Sequence, residues 1–124
     1  MTEPREPAVV RGSQTEAFPT DERCDITEWS NGPADPGLSV ARARVAPGVT
    51  TRWHRLRDTV ERYCILEGRG TVEVEGLPPT PVVPGDVVVI PAGAAQRIRN
   101  DGPDDLVFLA LCTPPFRPEA YEAL

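Results

Sequence analysis

The sequence predicts an all-β domain, a sandwich or a barrel. Fifteen prolines and ten glycines break the 124 residues so often that no long amphipathic helix fits between them. The stretches between the breaks are short and rich in Val, Ile, Leu and Thr, residues that suit a pleated, half-buried surface. They recur at regular spacing with turn signals between them, as in a doubled or closed antiparallel sheet.

Strands are expected near Cys24–Trp29, Leu38–Ala46, Thr50–His54, Glu61–Glu67, Thr71–Glu75, Val87–Ile90, Gln96–Asn100 and Leu106–Cys112. The turns between them are Asn31-Gly32-Pro33, Pro47-Gly48, Glu67-Gly68-Arg69-Gly70, Pro84-Gly85-Asp86, Pro91-Ala92-Gly93 and Asn100-Asp101-Gly102-Pro103. Residues 1–17 are polar and Pro-rich and read as a flexible N-terminal arm; residues 18–124 read as a single barrel. The tail Glu119–Leu124 is expected to form one closing helical turn. There is no internal repeat and no low-complexity block.

A chain of this length buries roughly two-thirds of its unfolded surface, enough for one core. The net charge is −6, and all 13 basic residues are arginine. An acidic chain repels phosphate backbones, so no nucleic-acid partner is expected. The N-terminus lacks a basic segment followed by an apolar one, so no signal peptide is expected. No apolar run approaches the roughly 18 residues of a membrane span. Cys24, Cys64 and Cys112 are odd in number and scattered, which reads as reduced thiols in a cytoplasmic protein.

The chemistry centres on His54, the only histidine. Gly48, His54, Glu61 and Gly68 fit the pattern G-x5-H-x-H-x(3,4)-E-x6-G except at the second His, which is Leu56. Gly85, Pro91, Gly93 and Asn100 fit G-x5-P-x-G-x2-H-x3-N, with Gln96 where the His belongs. The two motifs in this order resemble those of the cupin superfamily. The resemblance implies a small single-domain double-stranded β-helix, the jelly-roll barrel, with two of its four usual metal-ligand positions replaced.

Alternate residues of a strand share a face. Arg52, His54 and Leu56 are therefore expected on one face, Glu61, Tyr63 and Ile65 on another, and Gln96, Ile98 and Asn100 on a third. In cupins the ligand positions point inward, so the resemblance implies a pocket holding His54, Glu61 and Gln96, with Leu56 in the remaining place. Tyr63 reads either as a half-buried aromatic or as an acid, as in cupin epimerases that use a His base and a Tyr acid without metal. Gln96 reads as a ligand through its amide oxygen, a substrate anchor or strand filler. Arg52 reads as a solvated strand end or as a cation at the pocket mouth that attracts an anionic group; Leu56 and Ile98 are the other expected substrate contacts. Cys24 and Cys112 read as small core residues, and whether either reaches the pocket stays open.

A lone histidine cannot build a three-histidine centre within one chain. The leading expectation is therefore a small-molecule enzyme using acid–base chemistry, of the isomerase/epimerase, dehydratase, cyclase or lyase type, on His54, Glu61, Tyr63 and Gln96. One alternative is a metal-dependent cupin in which His54, Glu61 and Gln96 hold a divalent Zn, Fe, Mn, Ni or Cu ion. Another is a non-catalytic barrel that binds a small molecule. A homodimer is expected, because open sheet edges invite pairing across a two-fold axis and the segment with Phe18 and Ile26 can add a strand to a partner's sheet.

Overall fold

The structure, a computed structural model, describes residues 3–124, so the first two residues of the N-terminal arm lie outside it. Among the described residues there are eleven strands and two short 3-10 turns: β1 (Phe18–Pro19), β2 (Asp25–Ser30), β3 (Ser39–Val45), β4 (His54–Leu56), β5 (Val60–Glu67), β6 (Gly70–Val74), β7 (Leu77–Val82), β8 (Val87–Ile90), β9 (Gln96–Asn100), β10 (Leu106–Thr113) and β11 (Tyr121–Ala123). The 3-10 turns are Gly12–Gln14 and Pro118–Ala120. The strands form two antiparallel sheets, β1-β2-β3-β10-β5-β8 and β11-β4-β9-β6-β7. This is the all-β double-stranded β-helix expected from the sequence. No helix among the described residues is long and apolar enough to cross a membrane.

The alternation of side chains builds the interior. Along β5, Glu61, Tyr63 and Ile65 are buried, while the residues between them are more exposed. Gln96, Ile98 and Asn100 of β9 and Val72 and Val74 of β6 close the barrel from the facing sheet. Asn100 is a structural pin: its amide donates to the Val45 and Asp104 carbonyls, at 2.9 and 2.8 Å, and its oxygen accepts the Gly102 N–H at 2.9 Å. Gly68, the last residue of the first motif, has φ +78°, and a Cβ there would lie 2.4 Å from the Asp105 carbonyl oxygen. Both facts call for glycine at that point of the barrel.

The register explains why one end of the barrel is full and the other hollow. Ala43, Phe108 and Ile65 form one cross-strand row, and Val45 sits opposite Leu106; these large side chains pack the closed end. Toward the other end the rows shrink to Ala41 opposite Ala110 and Ser39 opposite Cys112, with Glu61 across from Cys112 on β5. The small side chains leave room that nothing in the sheet fills.

Several elements differ from the sequence expectation. The strand expected over Thr50–His54 begins only at His54: Thr51 pairs with Ile98 through its backbone, and the Arg52 N–H turns aside to the Glu22 carbonyl at 3.0 Å. The closing helical turn expected at the C-terminus is instead the 3-10 turn followed by β11, because Tyr121–Ala123 hydrogen-bonds to the open edge of β4. Strand β7, LPPTPV, went unpredicted because three prolines argue against a strand; it lies on a sheet edge, where a missing N–H costs no ladder bond. In the N-terminal arm, Gly12 is buried against the Trp29 side chain, and the Thr15 hydroxyl donates to the Glu28 carbonyl at 2.8 Å. Phe18 pairs with Ile26 of the same chain.

Candidate functional site

A cavity of about 130 Å³ occupies the hollow end of the barrel, with Glu61, Cys112, Ser39, Ala110, Ile26 and Phe116 among its walls. Glu61 is the buried acid of this wall. Its Oε2 accepts the Cys112 thiol at 3.8 Å, and its Oε1 has no hydrogen-bond partner. Burial pushes its carboxyl up to about 7, and the nearby Glu22 charge adds to the rise; the Gln96 amide and the Cys112 thiol pull it back in part. Because Oε1 is unpartnered, the pull of Gln96 is that of a nearby amide dipole rather than of a formed bond. Burial, then the charge of Glu61, pushes the Cys112 thiol up to about 12, so it remains a thiol and a donor.

Two residues along β5, the Tyr63 hydroxyl donates to the Gln96 amide oxygen, and its ring packs on Phe108 at 4.4 Å between centroids. Burial, then the charges of Glu61 and Glu22, holds the Tyr63 phenol well above its ordinary range, so it stays protonated. With the Gln96 oxygen accepting from Tyr63, the amide N–H₂ is the end left for other partners.

His54 is buried on β4, directly opposite Gln96 in the sheet. Its Nδ1 lies 2.8 Å from the Arg52 carbonyl oxygen, which can only accept, so Nδ1 carries the proton and Nε2 is left as the basic atom of the neutral ring. The ring stacks on Tyr121, with centroids 5.2 Å apart. The Tyr121 hydroxyl is buried without a partner, and Tyr121 also lines an outer cleft. That cleft and the inner cavity share Thr20, Glu22 and Phe116, so Glu22 stands at their junction.

The structure thus brings Tyr63 and Gln96 into contact and sets His54 beside Gln96, while Glu61 faces the cavity. Leu56 is buried, and Ile98 is fully enclosed in the hydrophobic core. Arg52 lies outside β4 and is exposed, so it does not share the inward face with His54 and Leu56; its backbone bonds hold the preceding segment off the strand. Cys112 reaches the cavity. Cys24 packs in the core with its thiol 3.7 Å from Glu22 Oε2, and burial, then Glu22, pushes it up to about 12. Glu22 and Tyr121 escaped the sequence reading. They lie outside both motifs, on a loop before β2 and on a C-terminal strand, and only the closing of the barrel brings them to the site.

The donor set is a poor fit to a divalent metal. His54 Nε2 is free, but the Gln96 oxygen is taken by the Tyr63 hydroxyl, and among the described residues no group of three or more His, Cys, Asp and Glu side chains is placed to hold an ion.

Two antiparallel sheets rolled around an acid-bearing cavity define a double-stranded β-helix domain. Residues 41–112, more than half of the chain, match the family model described as "Cupin domain", and the chain belongs to the cupin family. It is 35% identical over 86 residues, 69% of this chain and 68% of the relative, to an uncharacterized protein of Methanocaldococcus jannaschii. It resembles the structure of Pac13, a nucleoside dehydratase of Streptomyces, with a TM-score of 0.78 at 16% identity, covering 96% of this chain and 92% of that one. It also resembles a protein of Thermotoga maritima described as a predicted oxalate decarboxylase, with a TM-score of 0.74 at 28% identity, covering 86% of this chain and 99% of that one.

Proposed function

We propose that the chain is a small-molecule enzyme that performs acid–base chemistry in the barrel interior, of the dehydratase, lyase, cyclase or isomerase/epimerase type. The observation that carries this reading is Glu61, a buried carboxyl on the cavity wall with one oxygen free and its pKa pushed up to about 7. A group titrating near neutrality is populated as an acid and can also take a proton back. As the carboxylic acid, Glu61 donates its proton to a leaving hydroxyl or a carbonyl oxygen. As the carboxylate, it removes a proton from carbon.

The surrounding residues hold this group in place. The Cys112 thiol donates to Oε2. Tyr63 fixes the Gln96 amide, whose N–H₂ orients the Glu61 carboxyl and polarises a substrate oxygen. His54 is the second proton-transfer group, acting through Nε2 with its tautomer set by the Arg52 carbonyl. Pac13 is an instance of dehydration carried out by a protein of this fold, which favours elimination among the reaction types as an analogy of fold.

The test is incubation with a panel of small hydroxylated and carbonyl-bearing molecules in deuterium oxide, read by mass spectrometry for loss of water and for deuterium at carbon. Turnover or exchange is expected, reduced about 100-fold or more in Glu61→Gln and in His54→Ala. Undiminished turnover in Glu61→Gln overturns the reading; undiminished turnover in His54→Ala alone removes His54 from it.

A further inference from the structure

The cavity is acidic and has no counter-charge. Glu22, Glu28 and Glu61 line it, together with apolar and small side chains, and no arginine does. Among the described residues the ion pairs lie elsewhere: Arg44 with Asp25 and Asp105, Arg55 and Arg57 with Glu122, Arg97 with Glu73, and Arg99 with Asp101. Arg62 hydrogen-bonds to Thr113, and Arg52 is exposed outside the barrel. Of the three carboxylates, Glu28 accepts from Asn31 and Glu22 accepts only the weak Cys24 thiol. Glu61 is 8% exposed and lines the cavity, and its Oε1 is buried with no hydrogen-bond partner. A buried carboxylate with one oxygen lacking a donor is costly, and a cation beside it offsets that cost.

We infer that the cavity selects a small organic cation, a primary ammonium ligand whose charge is held by the Glu61 and Glu22 carboxylates while its hydrocarbon end packs on Phe18, Ile26 and Phe116. A cavity of about 150 Å³ takes benzene, so this one, at about 130 Å³, suits a ligand of roughly six non-hydrogen atoms. The inference rests on the reading of Glu61 as the working group of the site and adds the substrate class. Of the two readings of Arg52, a solvated strand end or a cation that attracts an anionic group, it favours the first, since the cavity presents anions and repels them.

The probes are isopentylamine, isopentyl alcohol and isovalerate, which share a carbon skeleton and differ in charge. They are titrated calorimetrically into the intact protein at about pH 8, where an alkylammonium is still protonated. The amine is expected to bind about tenfold or more tightly than the alcohol, as one charge-assisted hydrogen bond to a carboxylate supplies, and isovalerate more weakly than both. Glu22→Gln and Glu61→Gln are each expected to lose about tenfold in amine affinity while leaving the alcohol within about twofold. Equal binding of amine and alcohol, or preference for isovalerate, overturns cation selection and leaves the cavity as a ligand site for the proposed enzyme. Binding of none of the three overturns both the selection and the cavity as a small-ligand site. Amine binding that is unchanged in both variants overturns the assignment of the ammonium to these carboxylates.

Discussion

The Tyr63 hydroxyl donates to the Gln96 amide oxygen across the inside of the barrel, tying β5 of one sheet to β9 of the other. Both side chains are buried, so removing one partner leaves the other unsatisfied. Tyr63→Phe is expected to destabilise by about 1–3 kcal/mol, read as a lower urea midpoint with an unchanged slope. Adding Gln96→Leu to that variant removes the stranded oxygen and recovers part of the loss. A double variant that loses the sum of the two single effects contradicts the coupling.

Burial of Glu61 makes stability depend on pH in a defined direction. Its carboxyl rises from 4.5 to about 7 on folding. Below pH 4.5 it is protonated in both states, and its contribution is fully present. As pH rises, the unfolded chain ionises first and the folded state loses ground until the buried group ionises near 7, a loss of roughly 3 kcal/mol. Glu61→Gln carries no titrating group there. The stability difference between the variant and the parent should therefore grow in the variant's favour from pH 4.5 to 7 and then level off. Denaturation series across that range give the curve, and parallel profiles for the two proteins count against it.

The cysteines should separate by reactivity. Cys24 and Cys112 are buried thiols pushed up to about 12, whereas Cys64 is partly exposed on the outer face of β5. Iodoacetamide on the native protein is expected to label Cys64 first, with the other two reacting only on unfolding; peptide mass spectrometry locates the label. Rapid native labelling of Cys112 would falsify its placement beside Glu61.

A homodimer is expected through β8. The edge β7 carries Pro78, Pro79 and Pro81, which block strand addition, whereas the edge β8, VVVI, has no proline or charge and exposes Val87 and Val89. Antiparallel pairing of β8 with its two-fold copy covers both valines. Sedimentation should give twice the 13.5 kDa chain mass, falling to one chain in Val89→Arg, where like charges meet across the axis. A monomer for the parent protein rules this contact out.

Much of this was legible before the tertiary structure. Turn residues and short apolar runs located eight strands to within a few residues, except over Thr50–His54, where backbone bonds to Glu22 and Ile98 displaced the strand start. What escaped was set by partners far away in sequence. The strand at Tyr121 exists because β4 has an open edge, and the strand at Leu77 persists through its prolines because it lies on an edge.

The candidate site divides along the same line. Spacing put Glu61 and Tyr63 on one face and Gln96 on another, because the period of a strand is two, and the resemblance to the cupin motifs implied that these faces point inward. The tertiary structure decided which of them meets empty space. The rows of Ser39, Ala41, Ala110 and Cys112 leave the cavity beside Glu61, and the loop before β2 brings Glu22 to it. Periodicity is a local property carried by neighbouring residues, whereas a void and the charge around it depend on side-chain volumes from strands distant in the chain, which become neighbours only when the barrel closes.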